Sequence, residues 1–278
     1  MPSAPSPAGD AARNIVLTGA SAGIGAALAA ELAGPGRHFL LIGRDAGRLA
    51  ATAEALRARG AGADTAAMSV TDREGMESVL RGFDAARPVD LVIANAGVAG
   101  GRDPATGLEP PGQSRRIVEV NLCGVFNTVE PLLPAMMARG RGHVVLISSL
   151  AGLRPQGDEP SYSASKAGVR GWGIAMRGWL RAHGVAVTVI CPGFVTTEMS
   201  ARYQGPKPFE WDVARAARRI ARAIRKRKAE YAFPWQMMLL IRLDPFVPAW
   251  LSDRIERRLA AEIRPDPELF RDADPQGK

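Results

Sequence analysis

Ile15-Val16-Leu17-Thr18-Gly19-Ala20-Ser21-Ala22-Gly23-Ile24-Gly25 changes character twice within a short span. The first three residues are large and aliphatic and read as a buried strand. A glycine-rich turn follows, and a helical pattern runs from Gly23 to Ala33. Glycines at 19, 23 and 25 allow a tight turn and bring the backbone close enough to meet a pyrophosphate. Free N–H groups and the dipole of the following helix favour such an anion. The spacing is not G-x-G-x-x-G, and a glycine cluster alone marks no more than a tight strand-to-helix turn. Its place directly after the first strand favours a cofactor-phosphate loop, with Gly19, Ser21, Gly23, Ile24 and Gly25 in contact.

Working outward, short apolar runs alternate with longer helical patterns. The second strand is Phe39-Leu40-Leu41-Ile42, and a helix from about Asp45 to Arg59 follows, with Asp45 as its N-cap. A weak third strand is expected near Thr65 to Ser69, with a helix from about Asp72. Further strands are expected at Asp90 to Ala94, Val144 to Ile147 and Val185 to Ile190, and a seventh at Tyr231 to Phe233. Runs of Val, Ile and Leu suit strands buried on both faces, and their alternation with helices implies right-handed crossovers and a parallel sheet. The expected fold is α/β: a three-layer, doubly wound parallel sheet in a single domain with a helical C-terminal extension. Ligands in such a fold lie outside the carboxyl ends of the strands.

Composition sets the bounds. The 278 residues are compatible with one large α/β domain, and the 46% apolar content is enough for its core. The expected organisation is an N-terminal lead over 1–12, a catalytic domain over 13–233, an apolar helical extension over 234–263 and a polar tail over 264–278. The lead is Pro/Ser/Ala/Gly-rich, without the apolar core of a signal peptide. Cys123 and Cys191 match no metal spacing, and the apolar context of each predicts a buried thiol. Nothing in the cysteine usage calls for an oxidising compartment, so a cytoplasmic location is expected.

Five further motifs stand beside the glycine loop in a set order. Asn95-Ala96-Gly97 ends the fourth strand, and Asn121 lies in Val120-Asn121-Leu122. Ser148-Ser149 ends the fifth strand, Tyr162-Ser163-Ala164-Ser165-Lys166 opens the next helix, and Pro192-Gly193 ends the sixth strand. Together with Thr18-Gly19 to Gly25 they resemble the short-chain dehydrogenase/reductase family, over roughly residues 13 to 200. The resemblance implies a Rossmann-like fold and hydride transfer between a nicotinamide cofactor and a ketone, aldehyde or secondary alcohol. It also implies a homodimer or homotetramer.

The chemistry of that reaction reads directly onto the motifs. Hydride transfer leaves charge on the substrate oxygen, which needs a proton donor or acceptor. A free tyrosine, with a pKa of about 10, is a poor base near neutrality, and a nearby lysine cation favours its phenolate. Tyr162 and Lys166 are four residues apart, on one helix face. An isolated pair at that spacing is a common surface accident. The resemblance implies that Tyr162 is the acid/base and that Lys166 also binds the nicotinamide ribose. By the same resemblance Ser149, thirteen residues before the tyrosine, holds the substrate oxygen, with its neighbour Ser148 the weaker candidate. Asn121 corresponds to the asparagine that holds a relay water.

For the cofactor, the second strand ends Ile42-Gly43-Arg44. An NAD site needs a carboxylate there, and an NADP site needs a cation. Arg44 therefore points to NADP(H) over NAD(H), with Asp45 left to helix capping. Family members often place Asp-Val after the third strand for the adenine, and here the pair is Ser69-Val70. Ser69 keeps a hydrogen bond but no charge. Asn95, Ala96 and Gly97 are expected near the adenosine ribose. Pro192, Gly193 and Thr197 resemble the nicotinamide-contacting segment, with Thr196 beside the last of them.

Other features carry less. His38, His143 and His183 lie at strand starts, where surface or turn histidines are common, and none is given a catalytic role. Trp172 and Trp179 suit core or subunit contact. Eight basic residues and no acidic one lie between Arg215 and Lys228, within a formal net charge of +8. Val213, Ala216, Ala217, Ile220 and Ile224 fall at helical spacing there, so the helix is amphipathic with a basic outer face. That face over 213–228 is solvated, docks an acidic carrier protein, or rests on anionic lipid. The apolar stretch from Phe233 to Ile241 is too short and broken to span a bilayer and is core, interface or a membrane-contacting lip. The combined expectation is an NADP(H)-dependent oxidoreductase for an apolar or lipid-like carbonyl, without nucleic acid or metal. The alternative is a catalytically silent NADP(H)-binding regulatory or membrane-surface protein.

Overall fold

The computed structural model describes residues 12–103, 106–248, 250, 254, 262 and 263. Apart from Ala12, the expected lead over 1–12 and the tail over 264–278 lie outside the described residues.

Element order follows the alternation of buried runs and helices. β1 (Asn14–Thr18) leads through the glycine turn into α1 (Gly23–Leu32), and β2 (His38–Gly43) into α2 (Ala46–Arg57). β3 (Gly62–Ala67), α3 (Arg73–Ala86) and β4 (Leu91–Ala94) complete the first half. A helical stretch then comprises α4 (Gln113–Val118), a π turn (Glu119–Cys123), α5 (Gly124–Val129), a 3-10 turn (Glu130–Leu132) and α6 (Leu133–Ala138). After it come β5 (Gly142–Ile147), α7 (Pro160–Leu180), β6 (Val185–Pro192), the short α8 (Glu198–Ala201) and β7 (Tyr203–Gln204). α9 (Val213–Arg225), β8 (Glu230–Phe233), α10 (Trp235–Leu243) and β9 (Glu262–Ile263) close the described chain.

Seven strands form one parallel sheet in the order β3-β2-β1-β4-β5-β6-β8, and β7 pairs antiparallel with β9 in a separate ribbon. The order reverses between β1 and β4, which opens a crevice at their carboxyl ends. One face of the sheet packs Leu28, Leu49, Leu56 and Ile220 from α1, α2 and α9. The other packs Met76, Leu80, Ile117, Val129 and Val169 from α3, the irregular helix and α7. This is the three-layer, doubly wound architecture expected, in one domain.

Local chemistry accounts for three of the helix starts. Asp45 accepts from the Arg48 backbone N–H (2.9 Å), Asp72 from that of Gly75 (3.0 Å) and Asp212 from that of Arg215 (2.7 Å), and each caps its helix. The third strand lies earlier than the sequence predicts, at 62–67 rather than 65–69. It is an edge strand that starts on Gly-Ala, which carries little β propensity, and its pairing with β2 sets its span. The helix over 113–138 was not signalled, since Gly124, Pro131 and Pro134 interrupt its pattern. Two further expectations fail. Cys123 is exposed on the π turn, while Cys191 is buried. His143 is buried in β5, where its Nε2 pairs with the Thr188 hydroxyl (2.8 Å) and burial lowers its pKa to about 3.

Candidate active site

The glycine turn has the shape its sequence implies. Gly19 and Gly23 adopt φ of +65° and +53°, a region side chains disfavour. A Cβ at Gly25 would lie 2.0 Å from the Gly19 carbonyl oxygen, and one at Gly19 would lie 2.8 Å from Ala96 Cα. Backbone is thus packed on backbone across β1 and β4. The Asn95 side chain holds this packing by donating to the carbonyls of Thr18 (3.0 Å) and Gly19 (3.1 Å). In return the Thr18 hydroxyl accepts from the backbone N–H of Asn95 (3.1 Å) and Ala96 (3.2 Å). Asn95 is therefore a brace for the turn, and Thr18 is a member of the site that the sequence reading quoted but gave no role. Its signal was present: a buried threonine where β1 ends.

Arg44 is exposed at the end of β2, and Asp45 beside it is committed to the α2 cap. Across the turn, Thr197 approaches with its Cγ2 3.4 Å from where a Gly23 Cβ would stand. Its hydroxyl and backbone form a capping box with Ser200, whereas Thr196 is exposed and bonds the Trp211 carbonyl at 3.4 Å. Thr197 rather than Thr196 thus faces the glycine turn. Ser69 lies in the turn after β3, its hydroxyl 2.8 Å from that of Thr71.

The remaining residues gather where β4, β5 and β6 end. Ser149 follows β5 in extended backbone, and its Oγ accepts from the Ala151 N–H (3.1 Å). Tyr162 and Lys166 lie on the first turns of α7, with the lysine Nζ 5.7 Å from the phenol ring centre. Lys166 is buried and donates to the Ile147 carbonyl (3.0 Å). A Cβ at Gly97 would stand 3.2 Å from both Lys166 Nζ and Asn121 Oδ1, so glycine there leaves the lysine its place. Asn121 sits in the π turn and is fully buried. Its side chain clasps Val98, accepting from the N–H (2.7 Å) and donating to the carbonyl (2.9 Å). It also donates to Ser165 Oγ (3.0 Å), which donates in turn to the Tyr162 carbonyl (2.7 Å). The asparagine side chain is therefore occupied in tying the β4 loop to the tyrosine turn. Sequence reasoning missed Ser165 in this chain of bonds. It missed too that Ser148 donates to the Lys166 carbonyl (2.8 Å) and so pins α7 to β5, which leaves Ser149 facing the phenol.

Electrostatics follow from this burial. Tyr162 is raised above the ordinary tyrosine value, first by burial and then by Glu159, while a hydrogen bond from Ser149 pulls it back. Lys166 falls to about 8 because burial penalises its cation. Glu159, on the residue before α7, is pushed up to about 8 by burial and by Asp158 and Glu109. Gly193 donates its N–H to the Phe233 carbonyl (2.7 Å), and a Cβ there would meet Pro234 Cδ at 2.9 Å, so the ends of β6 and β8 close tightly beside Pro192. At the opposite end of the molecule a recess lined by Arg13, Gly34, Arg37 and Arg225 shares no residue with this cluster. Among the described residues no cluster of His, Cys, Asp and Glu is arranged to hold a metal.

Residues 13–207 match the family described as short chain dehydrogenase. An uncharacterized oxidoreductase of Myxococcus xanthus is 38% identical over 248 residues, 89% of this chain and 97% of that protein. The 3-oxoacyl-(acyl-carrier-protein) reductase FabG of Escherichia coli is 32% identical over 186 residues, 66% of this chain and 74% of that protein. The crystal structure of a metagenomic short-chain oxidoreductase in complex with NADP is similar at 30% identity, with a TM-score of 0.68, covering 80% of this chain and 96% of that one. The fold, the ordered motifs and these likenesses make the chain a member of the short-chain dehydrogenase/reductase family of oxidoreductases.

Proposed function

We propose that this oxidoreductase uses NADP(H) in preference to NAD(H) and reduces an apolar ketone or aldehyde, or oxidises the matching secondary alcohol. The observation that carries the reading is the convergence of Ser149, Tyr162, Lys166 and Asn121 at the strand ends, across the crevice from the glycine turn.

The residues fit a dinucleotide. The turn is a cradle that side chains would fill, and it lies at the N-terminus of α1, where backbone N–H groups and the helix dipole favour phosphate. Gly19, Ser21, Gly23, Ile24 and Gly25 would take the pyrophosphate, and Asn95, Ala96, Gly97 and Ser69 the adenosine side. Arg44 would pair with a ribose phosphate, and Asp45 beside it is engaged in capping α2. Pro192, Gly193 and Thr197 would face the nicotinamide. A bound nicotinamide supplies or accepts the hydride.

The chain's own groups manage the proton. In reduction, Tyr162 donates its phenolic proton to the substrate oxygen as negative charge develops there. The raised pKa keeps that proton in place through neutrality. Ser149 donates a hydrogen bond to the same oxygen. Lys166 stabilises the tyrosinate that results and is held for this by the Ile147 carbonyl. Asn121 fixes the tyrosine turn through Ser165. A full set of these groups speaks against a silent cofactor-binding protein. On the outer face of α7, Ile174 and Trp179 are exposed, which supports assembly into a homo-oligomer through that helix. A cytoplasmic site of action suits a cofactor of that kind.

The test is NADPH consumption with a panel of aliphatic and aromatic ketones and aldehydes, repeated with NADH. Faster turnover with NADPH supports the reading, and a preference for NADH removes its cofactor half.

A further inference from the structure

α10 reverses the usual polarity of a surface helix. Its partly buried side, Met237, Met238 and Ile241, packs toward the core on the α7 side of the sheet. Its outward side is also apolar: Trp235, Leu239, Leu240 and Leu243 are exposed. Positions 235, 239 and 243 are one helical step apart, and Phe246 continues the row. Trp235 is 68% exposed, Phe246 85% and Trp250 68%. Exposed large apolar side chains scattered singly need no explanation, but a contiguous set does.

This face lies at the rim of the active site. α10 starts at the carboxyl end of β8, and Pro234 before it packs on Gly193. Its far end is held by Asp244, which pairs with Arg154 (3.0 Å) on the loop that follows Ser149 and Leu150. The same loop region presents Leu153, partly buried against the same core as Tyr162.

We propose that the α10 face, with Phe246 and Trp250, docks on an anionic lipid surface. Two observations select lipid over protein. Tryptophan and phenylalanine, the most exposed side chains here, are the residues that settle at the headgroup boundary. The charges of the helix fit an anionic surface: Arg242 is exposed beside the apolar row, while Asp244 at its end is matched by Arg154. No helix among the described residues is long and apolar enough to cross a membrane, so the contact is peripheral. The basic helix α9 packs on the other face of the sheet, with α1 and α2, and is not part of this surface. That the docked crevice draws its carbonyl substrate from the lipid rests on the function proposed above, whereas the docking itself does not.

The experiment is co-sedimentation of the full chain with phosphatidylcholine–phosphatidylglycerol vesicles and with phosphatidylcholine vesicles, read alongside tryptophan emission. The wild type should sediment with the anionic vesicles, with a blue shift, and far less with the neutral ones. Leu243→Asp/Phe246→Asp should weaken that binding by about tenfold or more while NADPH binding shows that the variant is folded. Should the double variant fail to fold, Phe246→Ser alone carries the test, because that side chain is almost wholly exposed. Absence of wild-type binding to anionic vesicles overturns the proposal. So does a wild type that ignores vesicles and an aspartate variant that falls to a smaller assembly in light scattering, which would make the face a subunit interface. A chain that docks on lipid yet turns over no carbonyl would sink the functional reading alone.

Discussion

The glycine turn and the α10 rim both lie at the carboxyl ends of the strands, and they are built in opposite ways. The turn is backbone packed on backbone, where a single added carbon at Gly25 would come within 2.0 Å of a carbonyl oxygen. Its shape admits few alternatives. The rim is side chain against solvent, where Trp235, Leu240 and Phe246 touch little of their own protein. Many apolar residues would serve there. The first kind of surface suits the dinucleotide proposed for it, and the second is free to vary with the substrate or the lipid surface proposed above. Between them stands the Ser149–Tyr162–Lys166–Asn121 group, with its lysine and asparagine buried and its serine and tyrosine half-buried.

The contrast can be broken from its rigid side. Gly25→Val would force the turn apart, and dinucleotide binding measured by NADPH fluorescence should weaken by more than a hundredfold. Binding within threefold of wild type would show that the turn is not the cradle. Arg44→Ala should raise the KM for NADPH by roughly tenfold or more, the worth of one charge-assisted hydrogen bond, and leave that for NADH nearly unchanged. Equal effects on both would remove the NADP(H) assignment.

A smaller, sharper effect concerns pH. The folded pKa of Lys166 is depressed to about 8, so its cation is present below that value and lost above it. Glu159 is neutral below about 8 and becomes an anion above it, which disfavours tyrosinate further. Both changes run the same way, so kcat for reduction should hold near neutrality and fall several-fold between about pH 8 and pH 10. Glu159→Gln should remove part of that fall. A profile that rises through this range would contradict the assigned roles.

The same contrast explains how much could be read without coordinates. Buried runs such as Leu40-Leu41-Ile42 and the capping aspartate Asp45 are local signals, and they placed strands and helices well. The candidate site residues were read from a spaced set of motifs rather than from any one of them. What stayed hidden was non-local. Thr18 and Asn95 are joined by hydrogen bonds across 77 residues, and Asn121 and Ser165 across 44. No spacing in the chain announces such bonds. Strand β3 drifted because its Gly-Ala start carries no preference of its own. The helix over 113–138 was lost in its own glycine and prolines, and the burial of His143 depends on a partner, Thr188, in the neighbouring strand. The ribbon of β7 with β9 joins segments far apart in the chain and had no local sign.

In the proposed function Tyr162 is the group that moves the proton, and one paired measurement addresses that most directly. Tyr162→Phe keeps the ring and removes only the hydroxyl. Carbonyl reduction should fall by about a thousandfold, within the range for loss of a general acid, while the Kd for NADPH stays within about twofold of wild type. Turnover retained at a tenth of wild type or better, with NADPH bound normally, would contradict it.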